Sequence, residues 1–256
     1  MKYTLLTLFP EITDAFFANS IMAKAIKRGI IEYQALNIRD FAADKHKTCD
    51  DAPYGGGPGM LMLPEPLDLA IKSVLPPENN AEKPRVIYLS PSGHQFNQEI
   101  ARKLAAEKEL ILICGRYEGI DQRIIDRYVD DEISVGDYVL SSGEVAALAV
   151  IDATYRLVDS VICAESLDEE SFSGGLLEYP QFTRPEIFDT MKVPEVLLSG
   201  HHEQIRLWRL EKRVEKTLRQ RPDLIQQGRE PAPDGSRVFN DEIIKIIDRL
   251  TDQPDG

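Results

Sequence analysis

The chain has 256 residues, 43% of them hydrophobic and 29% charged, with a formal net charge of −13. That length suits one large or two modest domains with a sizeable core; no apolar run approaches the roughly 20 residues of a membrane span, and acidity of this degree argues against nucleic-acid binding spread over the whole surface. The three cysteines, Cys49, Cys114 and Cys163, are odd in number and form no CxxC pair, which disfavours disulfides and zinc ribbons and fits a reducing cytoplasm.

In chain order, MKYTLLTLFPEITD opens with a short apolar stretch stopped by Pro10 and acids, a first strand over 3–9 rather than a signal peptide. A helix is expected over 11–28, ended by Gly29, then a strand over 30–38. Residues 39–60 form a long loop containing DDAPYGGGPGM. Ordering three consecutive glycines is unfavourable. The segment is either a linker or a loop that shapes itself on a partner, and Pro53, Tyr54 and the upstream Arg39, Lys45 and Lys47 favour the second. A helix over 65–74, a strand over 85–89, a helix over 97–107, a strand over 110–114 and a short helix over 121–129 follow. Residues 133–140 are mixed strand or loop. The helix expected over 143–157 is apolar all round along EVAALAVIDA, so it packs on both sides. Alternation of this kind implies a largely parallel sheet covered by helices. Ligands bind beyond the carboxyl ends of such strands, so the loops after Leu89, Cys114 and Leu140 are expected to converge.

Residues 159–200 are irregular and lead to a smaller helical module. Between positions 201 and 221 seven Lys or Arg stand against three Glu, a basic island in an acidic protein, and phosphate attraction is a local matter. Leu207, Leu210, Val214 and Leu218 lie at helical spacing and would face a core, with Arg206, Arg209, Arg213 and Lys216 on another face. A solvated helix face laced with ion pairs explains the charges equally well. One more amphipathic helix is expected over 241–250.

The P-loop, the GxGxxG fingerprint after the first strand, HExxH and GxSxG are all absent. His201 and His202 are adjacent, about 100° apart on a helix, and read as structural. Three segments remain: YLSPSG (88–93), CGRYEGID (114–121) and SVGDYVLSSGE (134–144). Each places Gly, Ser or Pro at a strand end. Glycine there lets backbone groups approach a flat ligand closely, as an adenine ring requires.

Taken in order, LFPE, PYGGGPGM, YLSP, CGRYEGID, GDYVLS followed by GE, SF with GLLEYP and FTRP, and VLLSGHH with WR resemble the bacterial tRNA (guanine-N1)-methyltransferase (TrmD) family of the SPOUT superfamily. The likeness runs from residue 4 to about residue 222. It implies an α/β fold: a parallel-sheet SPOUT domain over 1–160 with a C-terminal trefoil knot, a linker over 161–175, and a small, mostly α-helical tRNA-binding domain over 176–256. It implies bent S-adenosylmethionine as cofactor, a cytoplasmic homodimer with a shared active site, Mg²⁺ as an assistant, no membrane, and methylation of N1 of guanosine 37, next to the anticodon of tRNA. A related enzyme acting on another RNA, or a catalytically weakened RNA-binding homologue, is the alternative.

By the same resemblance, Tyr88, Leu89, Ser90 and Pro91 flank the adenine together with Ser134, Val135, Gly136, Tyr138, Leu140, Ser142 and Gly143. Gly115, Arg116 and Tyr117 line the slot. Glu118 lies near the methionine end, where a carboxylate suits an ammonium or sulfonium charge; a purely structural Arg116–Glu118 salt bridge is the open alternative. Arg156 is the cation for guanine O6 and Glu170, where the family has Asp, is the base, with Asp168 as its fallback. Ser142 stands where the family has glycine. Arg184, Ser199, His201, Arg206, Arg209 and Arg213 are the expected RNA contacts.

Overall fold

The computed structural model describes residues 1–77, 83–162, 170–231 and 238–252. It divides into two compact units, Met1–Ile162 and Cys163–Gly256.

The first unit is built on a five-stranded sheet in the order β2-β1-β6-β5-β7, with β1 Lys2–Thr7, β2 Glu32–Asn37, β5 Arg85–Gln95, β6 Glu109–Cys114 and β7 Asp131–Ser134. Every neighbouring pair is parallel. Both faces are covered, which is why the central strands read as near-continuous apolar runs. On one face Tyr3, Leu5, Ile87, Leu89, Leu110 and Leu112 meet Ala147, Val150 and Ile151 of α6 (Gly143–Tyr155). On the other, Leu6, Val86, Ile111 and Ile113 meet Leu67, Ala70 and Ile71 of α3 (Pro64–Val74). The alternation along each strand follows the two-residue period of the pleat.

Several expected boundaries are corrected. The helix expected over 11–28 is two, α1 Pro10–Phe17 and α2 Ser20–Lys27, because Asn19 is extended and Ser20 takes a φ of +59°. The loop over 39–60 contains a short 3₁₀ turn at Ile38–Phe41. It then leaves and re-enters through an antiparallel pair, β3 Asp50–Asp51 against β4 Leu61–Met62. The helices α4 (Gln98–Ala105) and α5 (Gln122–Tyr128) are shorter than expected. The strand expected over 85–89 continues to Gln95. Leu89 and His94 both pair with Ile133 of β7, so residues 90–93 are thrown out as a bulge. A Cβ on Gly93 would lie 2.5 Å from the Glu132 carbonyl, so only glycine allows this close backbone passage.

Among the described residues the second unit holds a 3₁₀ turn at Ser173–Gly175, a two-stranded ribbon, β8 Ile187–Phe188 with β9 Met191–Lys192, and four α-helices: α7 Glu195–Leu198, α8 His202–Gln220, α9 Pro222–Arg229 and α10 Asp241–Thr251. Leu176, Val214, Ile225, Phe239 and Ile247 form its core, with Leu210 and Leu218 packed against them. Leu207, expected among these, is exposed instead. The Phe239 ring lies on the α-carbon of Gly228, where any Cβ would collide with it at 2.2 Å.

Candidate functional site

The loops after Leu89, Cys114 and Ser134 meet at the carboxyl ends of β5, β6 and β7 around a cavity of about 350 Å³. Parallel pairing of these strands brings their ends together, and sheet topology places ligand crevices at such ends. The wall contains Tyr88, Leu89, Ser90, Pro91, Gly115, Arg116, Tyr117, Glu118, Ser134, Val135, Tyr138, Leu140, Ser142 and Gly143, all singled out from the sequence. Gly136 is the exception. Its φ is +155° and a Cβ there would strike the Tyr138 ring at 2.5 Å, so it seats Tyr138. The wall also includes Ser92, Gly119, Val139 and Ser141, which lie inside the three segments singled out from the sequence without being named as site residues, and Ile133 and Ala146, which lie outside them. Ile133 is the one apolar residue of β7, Asp131–Ser134, and reads as an ordinary buried strand position; Ala146 lies in α6, whose apolar run reads as core.

Two glycines make the cavity by staying small. A Cβ on Gly115 would sit 2.9 Å from the Tyr88 ring, and one on Gly143 would sit 2.6 Å from the Gly115 nitrogen. The Gly143 N–H donates to the Gly115 carbonyl at 2.9 Å, drawing the start of α6 onto the end of β6. Gly143→Ala must push backbone against backbone. It is expected to destabilise the first unit by about 1–3 kcal/mol, measured by denaturant unfolding; unchanged stability would show that the two ends can separate harmlessly. The Tyr88 phenol, at the cavity edge, is pushed above its ordinary pKa by burial, and burial also holds the Cys114 thiol well above the usual range. Both are therefore neutral donors near pH 7.

Tyr117 takes a left-handed φ of +58°. That conformation is unusual for a bulky side chain and turns the chain so that Tyr117 and Glu118 face the opening. The glycine-rich loop docks on this turn. The Glu118 N–H donates to the Met60 carbonyl at 3.0 Å, and the Met62 N–H to the Gly119 carbonyl at 3.0 Å. The Glu118 side chain covers the α-carbon of Gly59. Tyr54, at the tip, is fully exposed. Arg116 does not turn to Glu118: its Nε lies 3.4 Å from Glu144 Oε2, a partner that sequence reasoning missed because it sits in an apolar helix.

Arg156 closes α6; it is half-buried and is not one of the described residues lining the cavity. Glu170 belongs to the second unit, where the Ser173 N–H donates to its carbonyl at 3.0 Å. Asp168 and Cys163 lie outside the described residues. Among the expected RNA contacts Arg184, Ser199 and His201 are exposed. Arg206 is held by Glu203 at 2.8 Å and by Glu242 of α10 at 2.6 Å. Arg209 lies over the Tyr179 ring, 4.7 Å from its centroid. Arg213 donates to the Ser173 carbonyl at 2.7 Å and the Leu177 carbonyl at 3.2 Å, so it pins the 173–177 segment to α8. Among the described residues no group of three or more His, Cys, Asp or Glu stands together as a metal site, and no helix is long and apolar enough to cross a membrane.

The family model described as tRNA (Guanine-1)-methyltransferase TrmD matches residues 1–227. A tRNA (guanine-N(1)-)-methyltransferase of Treponema denticola is 66% identical over 229 residues, covering 90% of this chain and 92% of that one. The protein of the same description from Treponema pallidum is 60% identical over 232 residues, 91% of each chain. That from Borrelia duttonii is 58% identical over 226 residues, covering 88% of this chain and 92% of its own.

Proposed function

This chain belongs to the tRNA (guanine-1)-methyltransferase family, and from that membership we propose that it transfers a methyl group from S-adenosylmethionine to N1 of guanosine 37 in tRNA. The observation that carries the reading is the cavity at the ends of β5, β6 and β7. Its volume of about 350 Å³ falls in the range of small-molecule sites. Leu89, Ile133, Val135, Leu140 and Ala146 offer apolar faces for an adenine ring, while Ser90, Ser134 and the glycine backbones offer polar groups for its edge. Glu118 at the opening suits the cationic methionine end. In this reading the C-terminal part of the first unit threads the family's trefoil knot, and two protomers share each active site in the cytoplasm.

When bound, S-adenosylmethionine supplies an electrophilic methyl group on a sulfonium. The protein must hold the guanine with N1 in line and take the N1 proton, which is still present at neutral pH. Glu170 would take that proton as N1 is methylated. Arg156 stabilises the negative charge growing on O6. The target base leaves its stack to be reached. Exposed Arg184, Ser199 and His201 meet the anticodon stem, and Arg209 and Arg213 add positive potential along α8, whereas the charge of Arg206 is offset by Glu203 and Glu242 until RNA phosphates compete for it; such contacts position the RNA rather than specify its sequence. Mg²⁺ stays in the reading as an assistant, and comparing turnover in EDTA with turnover in added Mg²⁺ decides its part.

The test is incubation with methyl-labelled S-adenosylmethionine and a tRNA carrying guanosine at positions 36 and 37. Label at N1 of position 37 is expected. Label on ribosomal RNA instead would make the chain a related enzyme with another substrate. Cofactor binding with no label on any RNA would make it the weakened homologue, a reading favoured only by Glu170 standing where the family has Asp.

A further inference from the structure

Behind the cavity lies a buried charged pair that the reaction, as proposed, does not use. Glu144, in the first turn of α6, is 0% exposed. One carboxylate oxygen accepts the Thr7 hydroxyl at 2.5 Å, and the Thr7 oxygen in turn accepts the Phe9 N–H at 2.9 Å. The other oxygen faces Arg116 Nε at 3.4 Å; neither of those two atoms has a hydrogen-bond partner among the described residues. The Arg116 guanidinium lies over the Phe9 ring, 4.4 Å from its centroid. Four side chains from three separate places, the end of β1, the turn after β6 and the start of α6, thus close on one another.

Stability alone does not account for such a pair. Replacing a buried ion pair by apolar side chains is often neutral or stabilising, and this one lacks ideal geometry. What it does is fix a turn. Arg116 immediately precedes the left-handed Tyr117, and Gly115 to Gly119 form one wall of the cavity. The helix N-terminus favours the carboxylate in place, and the carboxylate then restrains the guanidinium that begins the turn. We infer that Glu144 is a positioning residue for the cofactor: its charge, braced by Thr7 and Phe9, holds Arg116 and thereby keeps the 115–119 wall in its binding form. The inference rests on the cavity being the S-adenosylmethionine site.

The experiment uses the full chain with Glu144→Gln, which keeps the shape and removes the charge, and with Thr7→Val. S-adenosylmethionine binding is measured by calorimetry, and KM for cofactor, KM for tRNA and kcat by methyl transfer. Glu144→Gln leaves a buried cation unmatched, so the cofactor Kd and KM are expected to rise about tenfold. The KM for tRNA and kcat at saturating cofactor stay within about threefold, the pattern of lost binding rather than lost chemistry. Adding Arg116→Gln to Glu144→Gln is expected to cost little more, because the two act as one unit. Thr7→Val is expected to raise the cofactor Kd about threefold, and it decides the matter should Glu144→Gln fail to fold. A parental Kd in Glu144→Gln or in Thr7→Val, or losses that add in the double variant, would overturn the positioning role. Failure of the parent protein to bind S-adenosylmethionine would instead remove the cofactor assignment beneath it.

Discussion

Glu170→Ala is expected to lower kcat for tRNA methylation about 10²- to 10⁴-fold, the contribution of a positioned general base. S-adenosylmethionine binding should change little, since the loss lies in proton removal. The backbone around Glu170 supports a fixed reach. Phe172, Gly174 and Gly175 take φ values of +69°, +63° and +77°. The Phe172 N–H donates to the Leu176 carbonyl at 2.8 Å, and the Glu178 N–H to the Ser171 hydroxyl at 3.1 Å. With the chain held this way, side-chain length sets where the carboxylate stands. Glu170→Asp retracts it by about 1 Å, a displacement that costs up to about 10²-fold, so that variant should fall between the parent and Glu170→Ala. Glu170→Gln keeps the reach and loses the base, so it should fall as far as Ala. Single-turnover kinetics with saturating cofactor separates these outcomes. An Ala variant that keeps its rate moves the base elsewhere, with Asp168 the next candidate. A faster Asp variant would mark the native chain as the weakened homologue.

Arg156→Ala is expected to cost about 10²- to 10³-fold in kcat, the effect of removing one donor from a developing oxyanion, with the cofactor Kd held within about threefold. The split follows from its placement. Arg156 is the C-terminal cap of α6, whose last turn is anchored in the core by Thr154, bonded to the Tyr3 hydroxyl at 2.9 Å. Its side chain does not line the cavity among the described residues, so its loss should bear on the guanine rather than on the cofactor. Lys at this position keeps the charge but not the planar fork, so an intermediate rate is expected there. Loss of S-adenosylmethionine binding in the Ala variant would reassign Arg156 to the cofactor.

Much of this was legible in the residues alone. The buried strand β6 announces itself as ELILIC, because a strand covered on both faces needs apolar side chains on both. The glycines at its end and at the start of α6 mark where backbone must approach backbone, and that is a property of each residue rather than of its neighbours. So the sheet, its parallel sense and the three segments that meet at the cavity could be read from local composition, while the individual wall residues and the family came with the likeness carried by PYGGGPGM through VLLSGHH.

What the sequence by itself could not determine was which distant groups face each other. Ser20 breaks a run that looks like one helix. The strand after Arg85 continues past Pro91 only because β7 lies alongside to pair with it. Arg116 has an acid two residues away, yet it is Glu144, beyond β7, that receives it, since the Gly115–Gly143 contact brings those ends together. Arg206 looks like a free cation on a basic helix, and α10 supplies Glu242 to it. Apolar period and turn chemistry are local and survive in a single stretch of chain; the partner of a charge is decided by packing between elements far apart in sequence, and only the folded chain contains that.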